Sequence, residues 1–251
     1  MNGTQDEMMF EELLVNIHGG RVLDIGCGSG QFIGMLMQSL GSFESITGVD
    51  VDDDVLEEAR SKFSAETFNF IEASSQSLPF EAASFDFVSI SKALHHVEDD
   101  RQTLDEMKRV LKPGGYFLIS EMIRDGLSDT QQSHQLYHHL RAEIDQLLGI
   151  SHHKTYMRSD LLDLIDSVGL DDLSVRDYTP PGPDPKDPGN IDDYIVKMEG
   201  WLRDLEDHPE RENYRNRMSV LAEHIREQGI SRPTQIIACL LYTSPSPRDK
   251  F

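Results

Sequence analysis

The sequence predicts an α/β fold: a doubly wound, seven-stranded, mostly parallel sheet with a helical cap. Two observations predict the sheet. Short apolar segments alternate with amphipathic helical segments up to Glu121, and a glycine-rich turn follows the first apolar segment. Strands and helices that alternate at this spacing form βαβ units with parallel strands. The cap is predicted because longer helical segments replace this alternation after Glu121. The seven predicted strands cover residues 21–25, 45–49, 68–71, 85–90, 116–120, 173–177 and 235–238.

The helices of the first half follow from apolar spacing and from the residues that end each segment. A short amphipathic segment over 10–17 is ended by Gly19 and Gly20, and residues 32–40 and 54–63 have helical periodicity. A further helix is predicted over 104–111. The breaker Pro113-Gly114-Gly115 separates it from the fifth strand.

The second half supplies the predicted cap and the last two strands. Helices are predicted over 133–148, 160–168, 191–205 and 210–228, and Ser159 is the expected N-cap of the second of these. Residues 179–190 hold five prolines and two glycines, which predicts a loop. We therefore expect one domain over 1–238. Its core covers about 18–123, 159–178 and 233–238, and the helical cap insertions cover about 125–158 and 180–230.

Composition limits the classes of partner. The 251 residues include 23 basic and 45 acidic side chains, a formal net charge of −22, and 38% are hydrophobic. A surface this negative repels phosphate backbones and anionic lipid, so we expect no nucleic-acid and no membrane partner. From the sequence we expect neither a membrane-spanning segment nor a secretory signal, and two cysteines are too few for a disulfide framework. We expect a cytoplasmic protein.

The last residues have an unusual sequence. Residues 239–249, CLLYTSPSPRD, resemble one translated reading frame of a transposase adapter used in sequencing libraries. We expect residues 239–251 to be a non-native tail, with the native sequence ending near Ala238. We therefore expect no functional role for Cys239.

The glycine-rich turn carries the strongest chemical signal. Gly26, Gly28 and Gly30 follow the first predicted strand, where the backbone of an open α/β sheet approaches a ligand closely. The preceding Asp24 repels a phosphate and attracts a cation. A dinucleotide fingerprint needs a third glycine where this chain has Gln31. The pattern therefore favours a cationic ligand over NAD(P).

A second carboxylate follows the second predicted strand. Asp50 lies 26 positions after Asp24, where a carboxylate can accept both hydroxyls of a ribose. The alternative is that Asp50 only starts the acidic helix cap with Asp52–Asp54. Its position at the strand end favours the ribose role.

These segments resemble the class I S-adenosylmethionine-dependent methyltransferases, in particular the small-molecule, type 11-like group. The turn DIGCGSG over 24–30 resembles the family's first motif, FIEASSQSLPF over 70–80 its third, and FDFVSISKALHHV over 85–97 its fourth. Ser74 stands where the family usually has an aspartate beside the adenine amine. The resemblance implies a Rossmann-like fold and S-adenosyl-L-methionine as cofactor. The cofactor-binding residues that it implies are Asp24, Gly26, Cys27, Gly28, Gly30, Asp50, Val51, Ser74, Ser75 and Ser91.

Two histidines are the candidate catalytic residues. His95 and His96 follow the fourth predicted strand, and an imidazole can take a proton from an acceptor near neutral pH. The alternative is that the pair only shapes this loop. Cys27 lies within the turn, and its expected role there is that of a small buried residue rather than a nucleophile.

The segment after the fifth strand holds the candidate acceptor contacts, Glu121, Arg124, Tyr137 and Arg158. Trp201 is expected to pack between helices. A group of metal-capable residues lies in the same half, and His134/His138 and His139/Glu143 each share a helix face at a spacing of four. We expect a polar helix there and no metal. The full group is His134, His138, His139, Glu143, His152 and His153.

The predicted function is in-line methyl transfer from S-adenosylmethionine to an unidentified small-molecule acceptor. Two alternatives remain. One is a non-catalytic S-adenosylmethionine-binding regulatory protein, since an intact turn predicts binding but not turnover. The other is an NAD(P)-dependent oxidoreductase, which Asp24 and Gln31 disfavour.

Overall fold

The computed structural model describes residue 10 and residues 12–242, which form two compact units. Unit 1 comprises the described parts of Met1–Glu121, Ser159–Asp177 and Ile236–Phe251. Unit 2 comprises Met122–Arg158 and Tyr178–Gln235. The chain thus leaves unit 1 after Glu121 and after Asp177, and it returns each time to complete the first unit.

A seven-stranded sheet is the centre of unit 1. Its strands are β1 (Arg21–Ile25), β2 (Ser45–Asp50), β3 (Phe68–Glu72), β4 (Phe85–Ser91), β5 (Leu111–Met122), β6 (Asp171–Tyr178) and β7 (Gln235–Leu241). Their order is β3-β2-β1-β4-β5-β7-β6. The predicted seven-stranded Rossmann-like sheet is confirmed.

Most of the sheet is parallel. β1 pairs in parallel with β2 and β4, β2 with β3, and β4 with β5. β7 runs antiparallel to β5, because Gly114 and Gly115 near the start of β5 bond the backbone of Tyr242, just beyond the end of β7. The strand order reverses between β1 and β4, so a crevice opens beyond the carboxyl ends of these strands, where open α/β sheets bind ligands.

After the short helical segment near residues 12–14, the described part of the chain contains the helices α1 (Gln31–Ser39), α2 (Asp53–Lys62), α3 (Asp100–Val110), α4 (Asp129–Leu147), α5 (Arg158–Asp166), α6 (Pro188–Gly200) and α7 (Arg211–Gln228). Short 3-10 turns cover Leu94–His96 and Trp201–Arg203. Four helix starts are capped by side chains that accept from backbone amides, which satisfies donors that a helix start leaves open. The capping residues are Asp52, Asp99, Ser128 and Asp187.

The core of unit 1 lies against both faces of the sheet. Phe85, Phe87 and Phe117 of β4 and β5 are wholly buried, as is Leu23 of β1. α2 packs on β2 and β3, and α3 packs on β4. Central strands covered on both sides read as continuous apolar runs, which is why these strands were recognisable in the sequence.

Unit 2 is a helical unit with its own apolar core. α4 and α6 both pack on α7. The core combines aliphatic side chains of all three helices with partly buried aromatic rings. Its buried members are Leu140, Ile144, Ile191, Ile195, Met198, Leu205, Tyr214, Met218, Leu221, Ala222, Ile225 and Ile230.

Several predicted boundaries are corrected by capping. α3 begins at Asp100 rather than at 104, because the Asp99 side chain accepts from the Gln102 amide. The predicted cap Ser159 is wrong, since α5 already begins at Arg158, whose amide donates to the Asp125 carboxylate at 2.7 Å. α6 begins at Pro188 within the predicted loop, where proline is accommodated in a first helical turn.

Strand boundaries shift for a different reason, backbone pairing. β5 includes the predicted breaker, because Gly114 and Gly115 bond Tyr242. β7 continues through Cys239 and Leu240, both buried, to Leu241. The rest of the expected non-native tail, 243–251, lies outside the described residues, and the origin of the tail stays a prediction. Of the predicted helix over 10–17, residues 12–14 are helical and residue 11 is outside the described part.

Among the described residues, none of the helices combines the length and apolar character that a bilayer crossing requires.

Candidate functional site

The turn between β1 and α1 depends on backbone conformations that favour glycine. Gly26, Gly28 and Gly30 have φ angles of 63°, 49° and 80°. A Cβ at Gly26 would lie 2.4 Å from the Ala93 Cβ, and a Cβ at Gly30 would lie 2.5 Å from the Phe63 ring. A Cβ at Gly28 would meet no atom within 4 Å. Two glycines therefore allow close packing, and the middle one leaves open space above the turn.

Asp50 connects this turn to the neighbouring strands. Its Oδ2 accepts from the Gly28 amide at 2.8 Å, and its Oδ1 accepts from the Asp52 amide at 3.2 Å. Its backbone carbonyl accepts from Ala73 at 2.9 Å. A carboxylate offers about four acceptor positions, so these bonds leave capacity for further hydroxyl donors. Asp50 thus has a structural role in addition to the predicted ribose contact.

Asp24 is a buried carboxyl group at the end of β1. It is 1% exposed, and the hydroxyl of Ser89 in β4 donates to its Oδ1 at 2.8 Å. Burial raises the pKa of Asp24 to about 7, and the charge of Asp50 adds to the effect, while the Ser89 hydrogen bond opposes it. The parallel register places Ser89 directly beside Asp24. Sequence reasoning missed Ser89, although a serine within an apolar strand was a signal.

Cys27 packs its thiol inward. Its amide donates to the Val49 carbonyl at 3.1 Å, and a Cβ at Gly48 would lie 2.7 Å from its Sγ. Burial, followed by the charges of Asp24 and Asp50, raises the pKa of the Cys27 thiol far above its usual range. The thiol stays protonated at neutral pH and is not a nucleophile there.

The remaining predicted cofactor residues lie at the carboxyl ends of the strands or in the loops that follow them. Val51, just after β2, is 69% exposed, which leaves its side chain available to a ligand. Ser74 and Ser75 follow β3. The Ser74 hydroxyl accepts from the Gln76 amide at 3.2 Å, and that of Ser75 bonds Thr103 in α3 at 3.0 Å. Ser91 ends β4.

His95 is buried beside a carboxylate. Its Nδ1 lies 2.8 Å from Oε1 of Glu121 at the end of β5, and Glu121 Oε2 accepts from the Leu94 amide at 3.1 Å. An ionised carboxylate only accepts, so Nδ1 carries the proton and Nε2 holds the lone pair of the neutral ring. Glu121 is 0% exposed. Its placement favours an orienting role over the predicted acceptor contact.

The second candidate base has a different environment. His96 is exposed, and its ring lies 4.3 Å from that of His95. The structure therefore distinguishes the two histidines, because burial and the Glu121 carboxylate fix the orientation of His95.

The other candidate acceptor contacts belong to unit 2. The Arg124 amide donates to the Tyr156 carbonyl at 2.9 Å, and Arg158 begins α5. Tyr137 packs edge-on against Tyr194 and lies 4.7 Å from the Trp201 ring. Burial raises the pKa of Tyr137 to about 12. Trp201 thus packs between helices, and the acceptor contacts stay predictions.

The histidines of α4 are held in different ways. The rings of His134 and His138 stack at 6.4 Å, as expected for residues that share a helix face. His139 bonds the Thr155 hydroxyl at 3.0 Å, while Glu143 forms ion pairs with Lys154 and Arg217. Burial lowers the pKa values of His134 and His139 to about 4.

Two further histidines follow α4. His152 is buried, and its Nδ1 lies 2.7 Å from Oδ2 of Asp145. His153 is exposed. Sequence reasoning missed Asp145, since no spacing rule connects it to a histidine in the loop that follows its helix.

Comparison with known proteins identifies the first part of the chain. Residues 23–119 match the methyltransferase domain family. The demethylmenaquinone methyltransferase of Staphylococcus aureus (strain MRSA252) is 37% identical over 120 residues, which cover 47% of this chain and 50% of that protein. The chain thus spans about half the length of the curated relatives it matches.

Solved structures agree on the fold. An S-adenosylmethionine-dependent methyltransferase of Mesorhizobium loti superposes with a TM-score of 0.56 at 19% identity, covering 93% of this chain and 96% of that one. The phosphoethanolamine N-methyltransferase 2 of Haemonchus contortus, in complex with S-adenosyl-L-methionine, superposes with a TM-score of 0.58 at 16% identity, covering 96% and 53%. Residues 23–119 thus match a methyltransferase domain, as the resemblance predicted, on the fold that these solved structures share.

Proposed function

We propose that this chain binds S-adenosylmethionine at the β1–α1 turn and transfers its methyl group to a small-molecule acceptor. One observation carries the proposal: the open space above Gly28 lies at a turn that holds two carboxylates, Asp24 and Asp50. S-adenosylmethionine has an ammonium and a carboxylate at its methionine end, a central sulfonium, and a ribose that joins the sulfonium to adenine. A site with this charge suits such a ligand.

The same geometry disfavours NAD(P). A dinucleotide site offers backbone amides of the glycine turn to a pyrophosphate. Here the Gly28 amide donates to Asp50, and the buried Asp24 adds negative charge. A pyrophosphate would displace this hydrogen bond and lie near two carboxylates. The oxidoreductase alternative is therefore not favoured.

Four of the predicted cofactor residues then have a defined contribution. Asp24 attracts the ammonium of the methionine portion, and Asp50 accepts from the ribose hydroxyls. Val51 offers an apolar surface to the adenine, and Ser74 offers an acceptor to its amine. The bound donor supplies a methyl group already activated by its sulfonium, so the protein mainly orients the reactants for in-line displacement.

His95 is the proposed proton acceptor. As the acceptor atom forms its bond to the methyl carbon, the carbon–sulfur bond breaks and its electron pair stays on sulfur. The acceptor's proton passes to Nε2 of His95, and the Glu121 carboxylate stabilises the resulting imidazolium. This arrangement suits an acceptor whose hydroxyl, amine or activated carbon loses a proton during methylation.

Labelled methyl transfer tests the proposal. The purified chain is incubated with methyl-labelled S-adenosylmethionine and fractionated metabolite extracts, including a quinol fraction because one relative is a demethylmenaquinone methyltransferase. We expect acceptor-dependent release of S-adenosylhomocysteine and a labelled small molecule. Donor binding without transfer in any fraction would favour the non-catalytic alternative. Absence of donor binding would contradict the proposal itself.

Two glycine substitutions should separate fold from ligand binding. Gly28→Ala should preserve the fold, because open space surrounds this position. The left-handed backbone should lower the free energy of unfolding by about 1–2 kcal/mol. The added methyl group should weaken donor binding at least tenfold. Gly26→Ala should lower the free energy of unfolding further, through the overlap with Ala93. Denaturant unfolding and calorimetry measure the two effects. Equal loss of stability in both variants would contradict this assignment.

Donor affinity should depend on the protonation of Asp24, whose pKa is raised to about 7. Below that pH the ligand's ammonium must displace a proton. The dissociation constant should therefore rise as pH falls from 7 to 5.5, approaching tenfold per pH unit. Calorimetry of wild type and Asp24→Asn checks this, and the variant should bind weakly with a flat profile over this range.

Asp24→Asn should also be more stable than wild type above pH 7. Burial raises the pKa of Asp24 in the folded state, so folding takes up a proton between about pH 4 and 7. The stability that protonated Asp24 contributes is therefore lost as pH rises through 7. The expected gain at pH 8 is up to about 4 kcal/mol. A variant no more stable than wild type at pH 8 would argue against a buried, strained charge.

The base assignment predicts a graded effect on turnover. His95→Gln should lower kcat by about 10²–10⁴-fold and leave donor affinity within a few-fold of wild type. Glu121→Gln should lower kcat less, because it removes the carboxylate that orients His95 but leaves the imidazole in place. His18→Gln, an exposed histidine bonded to Ser42, is the matched control. Unchanged turnover of His95→Gln would remove the base assignment.

A further inference from the structure

Two histidine nitrogens of unit 2 face each other at an unusual distance. Nε2 of His152 lies 3.4 Å from Nε2 of His138. The two rings are 4.8 Å apart and nearly perpendicular, at 81°. Hydrogen bonds from a ring nitrogen usually span about 2.7–3.2 Å, so this distance is long for a direct bond.

The tautomer of His152 determines what its Nε2 can do. Nδ1 of this buried ring lies 2.7 Å from the Asp145 carboxylate, which only accepts. Nδ1 therefore carries the proton of the neutral ring, and Nε2 directs a lone pair towards His138. A metal-binding histidine has this arrangement, with its second nitrogen donating to a carboxylate that fixes the ring and increases its basicity.

The Asp145 carboxylate is itself held in place. Arg141, one turn earlier on α4, forms an ion pair with its Oδ1 and a second ion pair with Asp204. The Arg141 guanidinium also lies 5.7 Å from the centre of the Trp201 ring. The backbone carbonyl of His152 accepts from the Gln146 side chain at 2.6 Å. Both the ring and its carboxylate are thus oriented before any ligand binds.

The nitrogen–nitrogen distance matches shared coordination. Two imidazole nitrogens that bind one zinc ion at about 2.0–2.1 Å with tetrahedral angles lie about 3.3–3.4 Å apart. We propose that His138 and His152 are two ligands of a divalent transition-metal site in unit 2, with Asp145 as the carboxylate that orients His152. Imidazole donors suit zinc, copper, nickel or iron better than magnesium or calcium. Water or other donors complete the shell.

Such an ion would stabilise unit 2. His138 lies within α4, and His152 lies in the segment that follows this helix. A shared ion would cross-link the helix to that segment, and an ion that binds only the folded state raises its stability. The sequence did not predict this site, because the spacing of these histidines shows no metal motif.

Zinc binding to protein without a polyhistidine tag tests the proposal. The chain is stripped with a chelator, titrated with zinc and analysed by elemental mass spectrometry and thermal unfolding. We expect one zinc per chain and a higher melting temperature. Cobalt substitution should give the visible absorption of nitrogen-coordinated Co²⁺.

Four variants define the expected ligands. His138→Gln and His152→Gln should each lower zinc affinity at least tenfold, and Asp145→Asn should lower it by about 10–100-fold. His153→Gln, the exposed neighbour, should bind zinc like wild type. His138→Gln leaves the Asp145–His152 pair intact, so it remains informative if the other variants unfold. Wild type that binds no zinc, or a His138→Gln variant that retains it, would overturn the proposal. A proton relay through these residues would then be the better interpretation.

Discussion

The hydrogen bond from the Gly28 amide to the Asp50 carboxylate joins the carboxyl ends of two neighbouring parallel strands, β1 and β2. It couples the backbone of the glycine turn to the position of the Asp50 carboxylate. The same aspartate accepts a backbone bond from Ala73 through its carbonyl, which adds the loop after β3. One residue therefore aligns three segments of the proposed cofactor site before a ligand arrives.

Asp24 shows the energetic cost of this arrangement. A carboxyl group that is almost fully buried, with Ser89 as its side-chain donor and Asp50 nearby, resists ionisation. In an isolated domain this group lowers stability above its pKa. A cationic ligand offsets the cost, because its charge favours the ionised form. The raised pKa of buried Asp24 fits the proposed cationic ligand and is hard to explain as a purely structural feature.

Local sequence signals predicted most of the sheet and the glycine turn of the proposed cofactor site. The glycine pattern, Asp24 and Asp50 are close to their strands in sequence, and buried parallel strands read as apolar runs. Helix starts were predicted less well. In α5, for example, the first amide donates to Asp125, a residue too distant in sequence for local rules to recognise. β5 also includes a Pro-Gly-Gly sequence that local rules predict as a breaker, because its glycines pair with Tyr242, which is distant in sequence.

The side-chain partnerships were beyond sequence reasoning for the same reason. The approach of Ser89 to Asp24 follows from strand register, and that of Glu121 to His95 from neighbouring strands that are separate in sequence. The His138–His152 pair is 14 residues apart and forms only when the segment after α4 folds back. Periodicity within one helix cannot reveal such contacts.

A crystal structure of the chain with S-adenosylhomocysteine bound tests the proposed cofactor site most directly. The amino-acid portion of the ligand should lie at the turn, with its ammonium near Asp24. Both ribose hydroxyls should lie within hydrogen-bond distance of the Asp50 carboxylate. The Gly28–Asp50 hydrogen bond should be retained. A ligand bound elsewhere, or with its ribose away from Asp50, would contradict the proposed cofactor site.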